Sequence, residues 1–137
     1  MKKKPDYWYS QSALIPFRCN ENSCEILLIR SRKNKKWIIP KGIIEPKLSP
    51  GDSAKKEAYE EAGIEGEMIE GKTWEYTYRK WDGQCNVRVF LLKVTAELKT
   101  WPENFRKRKW FSIEKAINKI ENDHLKLILE NASEAMK

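Results

Sequence analysis

The chain has 137 residues, 40% of them hydrophobic and 34% charged, which fits one globular domain and excludes a disordered or fibrous protein. No apolar run approaches the roughly 20 residues that span a bilayer, so membrane insertion is not expected. The start, Met1 to Asp6, has no apolar stretch behind its lysines, which argues against secretion. We therefore expect one cytoplasmic domain over residues 1–137, with residues 1–10 as a basic N-terminal tail.

The net charge of +7 is concentrated in the first third of the chain. Residues 1–42 contain 10 Lys or Arg against 3 Asp or Glu, whereas residues 43–137 contain 17 of each sign. Such an excess is typical of a protein that binds a polyanion and also of a solubilising surface. Charge alone does not separate the two interpretations.

The cysteines and the single histidine do not indicate a zinc site. Cys19 and Cys24 have a spacing that matches no common zinc motif, and one histidine, His124, leaves too few ligands. Three cysteines cannot all pair within one chain, so a reducing compartment fits best. We expect Cys19 and Cys85 to be buried in strands, and His124 to lie at the surface or to cap a helix.

The N-terminal part of the chain predicts strands. Residues 13–17 and 24–30 are strand-like and are joined by a polar turn at residues 20–23. Because Pro16 donates no backbone hydrogen bond, its strand is expected at a sheet edge or with a bulge. A basic loop and a short apolar run at residues 37–39 follow.

A helix is predicted next, because its start and its end both carry signals. Ser49 is placed as the N-cap, Pro50 at the first helical position and Asp52 three residues after the cap. Gly63 is a natural left-handed C-terminal stop. The sequence therefore predicts a helix from Pro50 to the residue before Gly63.

The C-terminal half predicts a hairpin and two further helices. Strands are expected over residues 68–78 and 86–94, with Asp82-Gly83 as the turn between them. A short strand ends at Phe111. Two runs then have the 3, 4, 7 spacing of amphipathic helices that pack on a core: residues 113–120 and 125–132.

The first helix carries three glutamates close together on one side. At about 100° per residue, Glu57, Glu60 and Glu61 fall within an arc of about 100°. Like charges at this spacing repel and destabilise an isolated helix, so a positive partner is expected. A hard divalent cation such as Mg²⁺ takes oxygen ligands and would resolve the repulsion. A solvated acidic face is the alternative, and the helix alone favours that alternative.

The residues before and after the three glutamates favour the metal site over the solvated acidic face, because their spacing resembles the box of the Nudix hydrolase family. The matching positions are Gly42, Glu57, Glu60, Glu61, Gly63 and Ile64. The resemblance implies an α/β fold, an α/β/α sandwich with a mixed central sheet, and hydrolysis of a phosphoanhydride bond. It implies Mg²⁺ as cofactor, with Mn²⁺ as an alternative, held by Glu57, Glu60 and Glu61, which are also the catalytic carboxylates. Gly42, Lys56 and Gly63 belong to the loop and helix of the box.

Four positions depart from the family pattern. Leu48 replaces the first box glutamate, Lys56 replaces the box arginine, and Ala58 replaces a larger aliphatic residue. Lys56 keeps the positive charge but loses the planar fork of arginine. Lys109 replaces a glutamate that precedes a late tryptophan in the family, which removes one candidate general base. Glu60 or Glu61 would then act, directly or through the metal.

Within the family, the chain is similar to the branch that hydrolyses diphosphoinositol polyphosphates and dinucleoside polyphosphates. The similarity lies in residues 37–42, 45–46, 61–66 and 106–117. In that branch, basic residues around the cleft grip a small, phosphate-dense substrate. The candidates by position are Arg30, Arg32, Lys41, Arg79, Lys80, Arg106 and Arg108.

Three tryptophans could stack on a nucleobase: Trp74, Trp81 and Trp101. Aromatic residues in strands more often pack in the core or across a hairpin, so no base site is predicted from them.

Two alternatives to this function stay open. The basic N-terminal region also suits removal of pyrophosphate from RNA 5′ ends. Leu48 and Lys109 keep open a binding module that has lost turnover and holds a nucleotide or polyphosphate. The sequence leaves the oligomeric state open.

Overall fold

Residues 3–137 are the part of the chain that the computed structural model describes, and they form seven strands and three α-helices. The elements in chain order are β1 (Ser10–Cys19), β2 (Cys24–Arg30), β3 (Trp37–Ile38), β4 (Lys41–Ile43), α1 (Pro50–Ala62), β5 (Ile64–Lys80), β6 (Gly83–Glu97), β7 (Arg108–Ser112), α2 (Ile113–Lys119) and α3 (Asp123–Ala135). None of the helices in this part is both long enough and apolar enough to cross a membrane.

The strands join into one sheet in the order β3, β2, β1, β6, β5. β4 pairs with the first half of β1, and β7 pairs with β2. The ladder between β1 and β6 is parallel, and the other ladders are antiparallel. The mixed central sheet that the family resemblance implied is confirmed.

Helices cover both faces of the sheet, as expected for an α/β/α sandwich. Alternate residues of β1 point to opposite faces, so Leu14 packs towards α1 while Ala13 and Ile15 pack towards α2 and α3. Three alanines of α1 are fully buried in the Leu14 layer: Ala54, Ala58 and Ala62. Small side chains there let α1 lie close to the sheet while its acidic side points elsewhere.

Helix α1 has the boundaries that the sequence predicts. The Ser49 hydroxyl accepts a hydrogen bond from the Asp52 backbone N–H at 3.1 Å, which caps the N-terminus. Gly63 ends the helix with a φ of 64°. A side chain at Gly63 would also collide with the indole of Trp101, because its Cβ would lie 2.6 Å from Cδ2 of that ring.

The expectation that Pro16 lies in an edge or bulged strand is wrong, because β1 is a central strand. Leu14 donates its backbone N–H to Pro40, on the side of the sheet where β4 lies. Pro16, two residues later, turns its nitrogen to the same side, between the segments of β1 that pair with β4 and with β2. The missing donor therefore falls at a break between two partners, where no ladder bond is lost.

The turn between β5 and β6 lies one residue earlier than predicted. Lys80 pairs with Gly83, so Trp81 and Asp82 are the two central residues, with φ of 55° and 54°. Two positive φ values are the pattern of a type I′ turn. Gly83 has a steric role instead, because a Cβ there would lie 2.9 Å from Cζ of Tyr9.

The predicted N-terminal tail is shorter in the structure. Asp6–Tyr9 form a 3₁₀ turn, and β1 begins at Ser10. The rings of Trp8 and Tyr9 contact Trp81 edge to face, with centroids 5.1 and 6.0 Å apart. Residues 1 and 2 of the predicted tail lie outside the described residues.

The cysteines differ in part from the expectation. Cys19 and Cys24 are opposite each other at the end of the β1–β2 ladder, with Cα atoms 4.0 Å apart, and they form a disulfide. The expectation of a buried, free Cys19 is therefore wrong, since the hairpin register places the two thiols together at an exposed end. Cys85 is free and fully buried, as predicted. His124 is exposed in the first turn of α3, also as predicted, whereas cytoplasmic localisation stays a prediction.

Candidate active site

The acidic side of α1 faces a cleft of about 590 Å³ that also contains most of the predicted cations. The carboxylates that line it are Glu45, Glu57, Glu60, Glu61 and Glu103. The basic side chains that line it are Arg32, Lys41, Lys56, Lys80 and Arg106. The fold therefore brings the predicted glutamate trio together with cations from four other segments of the chain.

Glu61 is the most deeply placed carboxylate of the cleft, with 8% of its side chain exposed. Its Oε1 accepts the backbone N–H of Lys41 at 3.2 Å and lies 3.8 Å from Nη1 of Arg106. Burial and, after it, the neighbouring Glu57 carboxyl together raise the pKa of Glu61 to about 9. Without a cation, this site therefore favours a protonated carboxyl at neutral pH.

Glu57 is half-buried beside Glu61, and the two carboxyl groups share a hydrogen bond. Desolvation raises the pKa of Glu57, and the nearby charges of Glu60 and Glu103 act in the same direction. Two carboxyl groups that share a proton are a donor set which a divalent cation can occupy by displacing that proton. Within residues 3–137, however, no three carboxylate, thiol or imidazole groups are already gathered as a metal site.

Glu60, the third member of the trio, forms an ion pair with Lys56 one turn before it on α1. Its Oε2 lies 3.8 Å from Nζ of Lys56, which also contacts Glu45 Oε2 at 2.7 Å. Lys56 therefore joins the helix to the loop before it, which is the bracing role that the family pattern gives to an arginine and a glutamate.

Glu45 supplies the acid that the family pattern places at position 48, a role that the sequence did not predict for it. Leu48 is half-buried, and its backbone N–H bonds to the Glu45 carbonyl at 3.0 Å. The buried hydroxyl of Ser53 fixes the same loop, since it donates to the Ile43 carbonyl and accepts the Glu45 N–H. A charge pair thus still ties the loop to α1, with its acid three residues earlier than the family pattern places it.

Glu103 and Arg106 form a second acid–base pair in the cleft. Arg106 Nε lies 3.0 Å from Glu103 Oε1, and only 10% of the Arg106 side chain is exposed. The Glu103 backbone N–H donates to the Glu60 carbonyl at 2.9 Å, which fastens this segment to the end of α1. The sequence predicted Arg106 as a site residue but not Glu103, because Glu103 lies in an irregular segment that no motif marks.

Lysines crowd the cleft near the carboxylates. Burial and, after it, the charge of Lys80 together lower the pKa of Lys41 to about 8. Burial and the neighbouring Lys33 lower the pKa of Lys80 in turn. The Lys41 ammonium lies 4.1 Å from the centroid of the Tyr78 ring. Mutual repulsion among three lysines is relieved when an anion binds between them.

The seven predicted substrate cations separate into three groups. Four line the cleft: Arg32, Lys41, Lys80 and Arg106. Arg30 instead lines an adjoining groove of about 530 Å³, which also includes Arg32, Lys35, Arg106 and Lys107. Arg32 and Arg106 belong to both, so the groove continues the cleft with further positive charge. Contact of these residues with substrate stays a prediction.

Arg79 and Arg108 line neither the cleft nor the adjoining groove, and their contact with substrate stays a prediction. Arg79 is exposed on β5, where alternation turns it away from Tyr78 and Lys80. Arg108 donates to the carbonyls of Ala62, Gly63 and Leu98, and its guanidinium lies 4.0 Å from the centroid of the Trp101 ring. These contacts make Arg108 a brace for the C-terminus of α1.

Comparison with known proteins agrees with this geometry. The NUDIX domain model matches residues 8–130. Diphosphoinositol polyphosphate phosphohydrolase 3-alpha of Homo sapiens is 36% identical over 117 residues, which cover 82% of this chain and 70% of that protein. Diphosphoinositol polyphosphate phosphohydrolase 2 of Rattus norvegicus is 34% identical over 110 residues, or 78% of this chain and 60% of that protein.

A solved structure has the same fold at lower identity. The C. elegans Ap4A hydrolase superposes with a TM-score of 0.80 over 93% of this chain and 98% of that chain, at 21% sequence identity. At this identity the likeness supports the fold and carries no statement about substrate.

Proposed function

Because the chain belongs to the Nudix family of hydrolases, we propose that it cleaves a phosphoanhydride bond in a small, phosphate-rich substrate with the help of Mg²⁺. The substrate is of the diphosphoinositol polyphosphate or dinucleoside polyphosphate type. The observation that carries the proposal is the meeting of Glu57, Glu60 and Glu61 with Lys41 and Lys80 in one cleft.

The residues of the acidic side suit a divalent cation. Glu57 is half-buried and Glu61 is buried, and the pKa of each carboxyl is raised, so a divalent cation can take the place of a proton there. Glu57, Glu60 and Glu61 would hold Mg²⁺, with Mn²⁺ as an alternative, and the ion supplies charge neutralisation and water activation. Arg106 stays beside Glu61 and limits the negative charge of the group.

The cations of the cleft suit the phosphate chain. Lys41 and Lys80 lie next to each other with lowered pKa values, so a phosphate oxygen between them would be a favourable partner. Arg32 joins the cleft to the basic groove with Arg30, Lys35 and Lys107, where phosphates beyond the scissile bond would be held.

The reaction then follows from these placements. A carboxylate of the cleft takes a proton from the attacking water, and the new phosphorus–oxygen bond forms as the bridging phosphorus–oxygen bond breaks. Lys41, Lys80 and Arg32 bind the negative charge that moves onto the leaving phosphate. Water enters one product, so two phosphate-ended products leave the cleft.

Two other functions use the same residues. Removal of pyrophosphate from RNA 5′ ends would need the same cleft and a path for the strand along the basic groove. A binding module without turnover was suggested by Leu48 and Lys109. The pair of Glu45 and Lys56, together with Glu103 in the cleft, supports an enzyme instead, since both supply groups that those substitutions remove.

A phosphate-release screen tests the proposal. The protein is incubated with Mg²⁺ and, in turn, a diphosphoinositol polyphosphate, a dinucleoside tetraphosphate and a 5′-triphosphorylated RNA. Glu61→Gln serves as the inactive control. Turnover of a small substrate that needs Mg²⁺ and Glu61 supports the proposal. Tight binding with no turnover in any arm favours the binding module, and turnover of RNA alone favours the alternative enzyme.

A further inference from the structure

A buried hydroxyl on β1 has no hydrogen-bond partner. Ser12 is fully buried, and its Oγ makes no hydrogen bond to any residue in the described part of the chain. The ladders of the sheet do not need this hydroxyl, because Ser12 pairs through its backbone with Gly42 of β4 on one side and with Arg88 of β6 on the other. A buried polar group without a partner lowers stability, so its presence calls for an explanation.

The Ser12 hydroxyl lies on the face of the sheet that α1 covers. Side chains alternate along a strand, and Leu14, two residues further on, packs in the α1 layer. Gly42 is directly opposite Ser12 in the antiparallel ladder, so a side chain at either position would point to the same face. On that face, a Cβ at Gly42 would lie 2.6 Å from Oε1 of Glu57. Ser12 therefore faces the side of the sheet on which the Glu57 carboxyl lies.

A second buried serine shows what a structural hydroxyl does in this region. Ser53 of α1 is as fully buried as Ser12. Its hydroxyl donates to the Ile43 carbonyl at 3.2 Å and accepts the Glu45 backbone N–H at 3.3 Å. Ser53 thus ties a loop to the helix, whereas the Ser12 hydroxyl ties no two segments together. A structural role does not account for Ser12.

Glu57 is the carboxyl on this face that needs a further donor. Its side chain is hydrogen-bonded to the carboxyl of Glu61, and both residues belong to the acidic side of α1 that suits a divalent cation. A carboxylate that ligates a metal ion is held in orientation by a hydrogen bond from a second residue behind it. Glu61 cannot be that donor, because it is itself a proposed ligand. The unused hydroxyl of Ser12 is a donor on the correct face.

We propose that Ser12 is a positioning residue of the cation site, whose hydroxyl donates a hydrogen bond to the Glu57 carboxylate when Mg²⁺ is bound. This inference rests on the proposed function, because it concerns the cation site of the same cleft. The loaded site then supplies the acceptor, which accounts for a buried hydroxyl that the protein alone leaves without a partner.

Isothermal titration with Mg²⁺ alone and thermal unfolding in EDTA test the inference without any substrate. The variant is Ser12→Ala. Ser53→Ala is the matched control, because it makes the same change at an equally buried serine whose hydroxyl is already partnered. Glu61→Gln marks the loss of the cation site.

We expect Ser12→Ala to raise the Kd for Mg²⁺ about tenfold, as is typical when an outer partner of a metal ligand is lost. Its melting temperature in EDTA should equal or exceed that of wild type, because an unpartnered hydroxyl has been removed. Ser53→Ala should show the reverse pattern, with a lower melting temperature in EDTA and a smaller change in Kd. In a turnover assay, Ser12→Ala should need about tenfold more Mg²⁺ for half-maximal activity and should recover the wild-type kcat at saturating Mg²⁺.

A Kd for Mg²⁺ that is equal in wild type and Ser12→Ala would overturn the inference and leave the proposed function standing. A melting temperature in EDTA that falls as far in Ser12→Ala as in Ser53→Ala would assign the hydroxyl a structural role and also overturn the inference. If wild type binds no Mg²⁺ and turns over no substrate, the proposed function fails, and the inference fails with it.

Discussion

Gly42 and Glu57 touch so closely that any side chain at position 42 would push the Glu57 carboxyl out of its place. A Cβ on Gly42 would lie 2.6 Å from Oε1 and 2.7 Å from Cγ of Glu57. Gly42 is in β4, next to Lys41, whose backbone N–H donates to Glu61. The glycine therefore lets the acidic side of α1 approach β4, so that one strand positions both carboxyl groups.

We expect Gly42→Ala to displace the Glu57 carboxyl and to lower kcat about 100-fold, because a shift of about 1 Å in a catalytic group costs that much. The free energy of unfolding should change little, because the Glu57 side chain can turn aside. The Mg²⁺ concentration for half-maximal activity should rise.

The control for this change is Gly51→Ala in the first turn of α1. A Cβ at Gly51 would meet Met68 and Phe90 at 3.7 Å, which is ordinary contact. Alanine is also the better helix former, so stability should stay level or rise. If Gly42→Ala were as active as Gly51→Ala, Glu57 would not need its observed position.

Glu61 predicts how the stability of the metal-free protein depends on pH. Its pKa is raised in the folded state from an ordinary value of 4.5 to about 9, so the folded protein holds a proton that the unfolded chain releases. The contribution of this group to the free energy of unfolding is complete below about pH 4.5 and is lost as pH rises towards 9. We expect the melting temperature in EDTA to fall over this range, and Glu61→Gln to flatten the fall.

Mg²⁺ should stabilise the folded protein more strongly as pH rises. Its binding displaces the proton shared by Glu57 and Glu61, so the rise in melting temperature that Mg²⁺ produces should grow with pH. Thermal unfolding at several pH values between 6 and 9, with Mg²⁺ and with EDTA, measures both effects. A Mg²⁺ shift that is equal in wild type and Glu61→Gln would mean that the ion binds elsewhere.

The ion pair of Glu45 and Lys56 predicts the effect of restoring the family residues at positions 48 and 56. Because Glu45 already contacts Lys56, the double change Leu48→Glu with Lys56→Arg adds a second acid near an occupied cation. We expect its kcat to equal or fall below that of wild type. Glu45→Gln alone should lower kcat, since the loop loses its ion pair with Lys56 of α1. A large gain of kcat in the double variant would identify the wild type as an impaired enzyme.

The sequence predicts α1 and its glutamates well because their signals are local. The helix ends are marked by residues at or next to them, namely Ser49, Pro50 and Gly63. The spacing of the glutamates places all three on one side of the helix. The family resemblance also predicts the α/β/α sandwich and the cleft beside α1. These features depend on neighbours in sequence or on a motif of fixed spacing.

The features that sequence analysis missed depend on contacts between distant segments. The pairing of Lys80 with Gly83 places the turn at Trp81 and Asp82, where the Tyr9 hydroxyl donates to the Trp81 carbonyl, and nothing near position 81 marks that contact. The sequence does not distinguish Arg108 from a basic residue that binds phosphate, because its partners are backbone carbonyls of distant segments. Pairing between strands also decides the place of Pro16, which a strand pattern alone assigns to an edge.

Arg108 and Arg32 should therefore respond differently to substitution. Arg108→Ala leaves carbonyls at the end of α1 without their donor, which we expect to lower the free energy of unfolding by about 2 kcal/mol. Arg32→Ala should raise KM for the phosphate-rich substrate, and added salt should weaken wild-type binding in the same way. Urea unfolding and KM measured on both variants separate the two roles. A selective rise of KM in Arg108→Ala would return that residue to the substrate site.

Glu103 is the remaining carboxylate of the cleft and the candidate for the general base that Lys109 does not supply. It is close to Arg106 and to the end of α1, and its charge contributes to the raised pKa of Glu57. We expect Glu103→Gln to lower kcat about 100-fold or more, the range typical of a lost general base. Glutamine keeps the size of the side chain, and the backbone N–H of residue 103 still donates to the Glu60 carbonyl, so the fold should be retained.

The dependence of activity on Mg²⁺ separates this role from that of the trio. In Glu103→Gln the Mg²⁺ concentration for half-maximal activity should match wild type, whereas in Glu61→Gln it should rise. The loss of kcat should also be smaller at high pH, because hydroxide then replaces the base. If Glu103→Gln instead raises the Mg²⁺ requirement and leaves the pH profile unchanged, Glu103 is a metal ligand, and Glu60 becomes the candidate base.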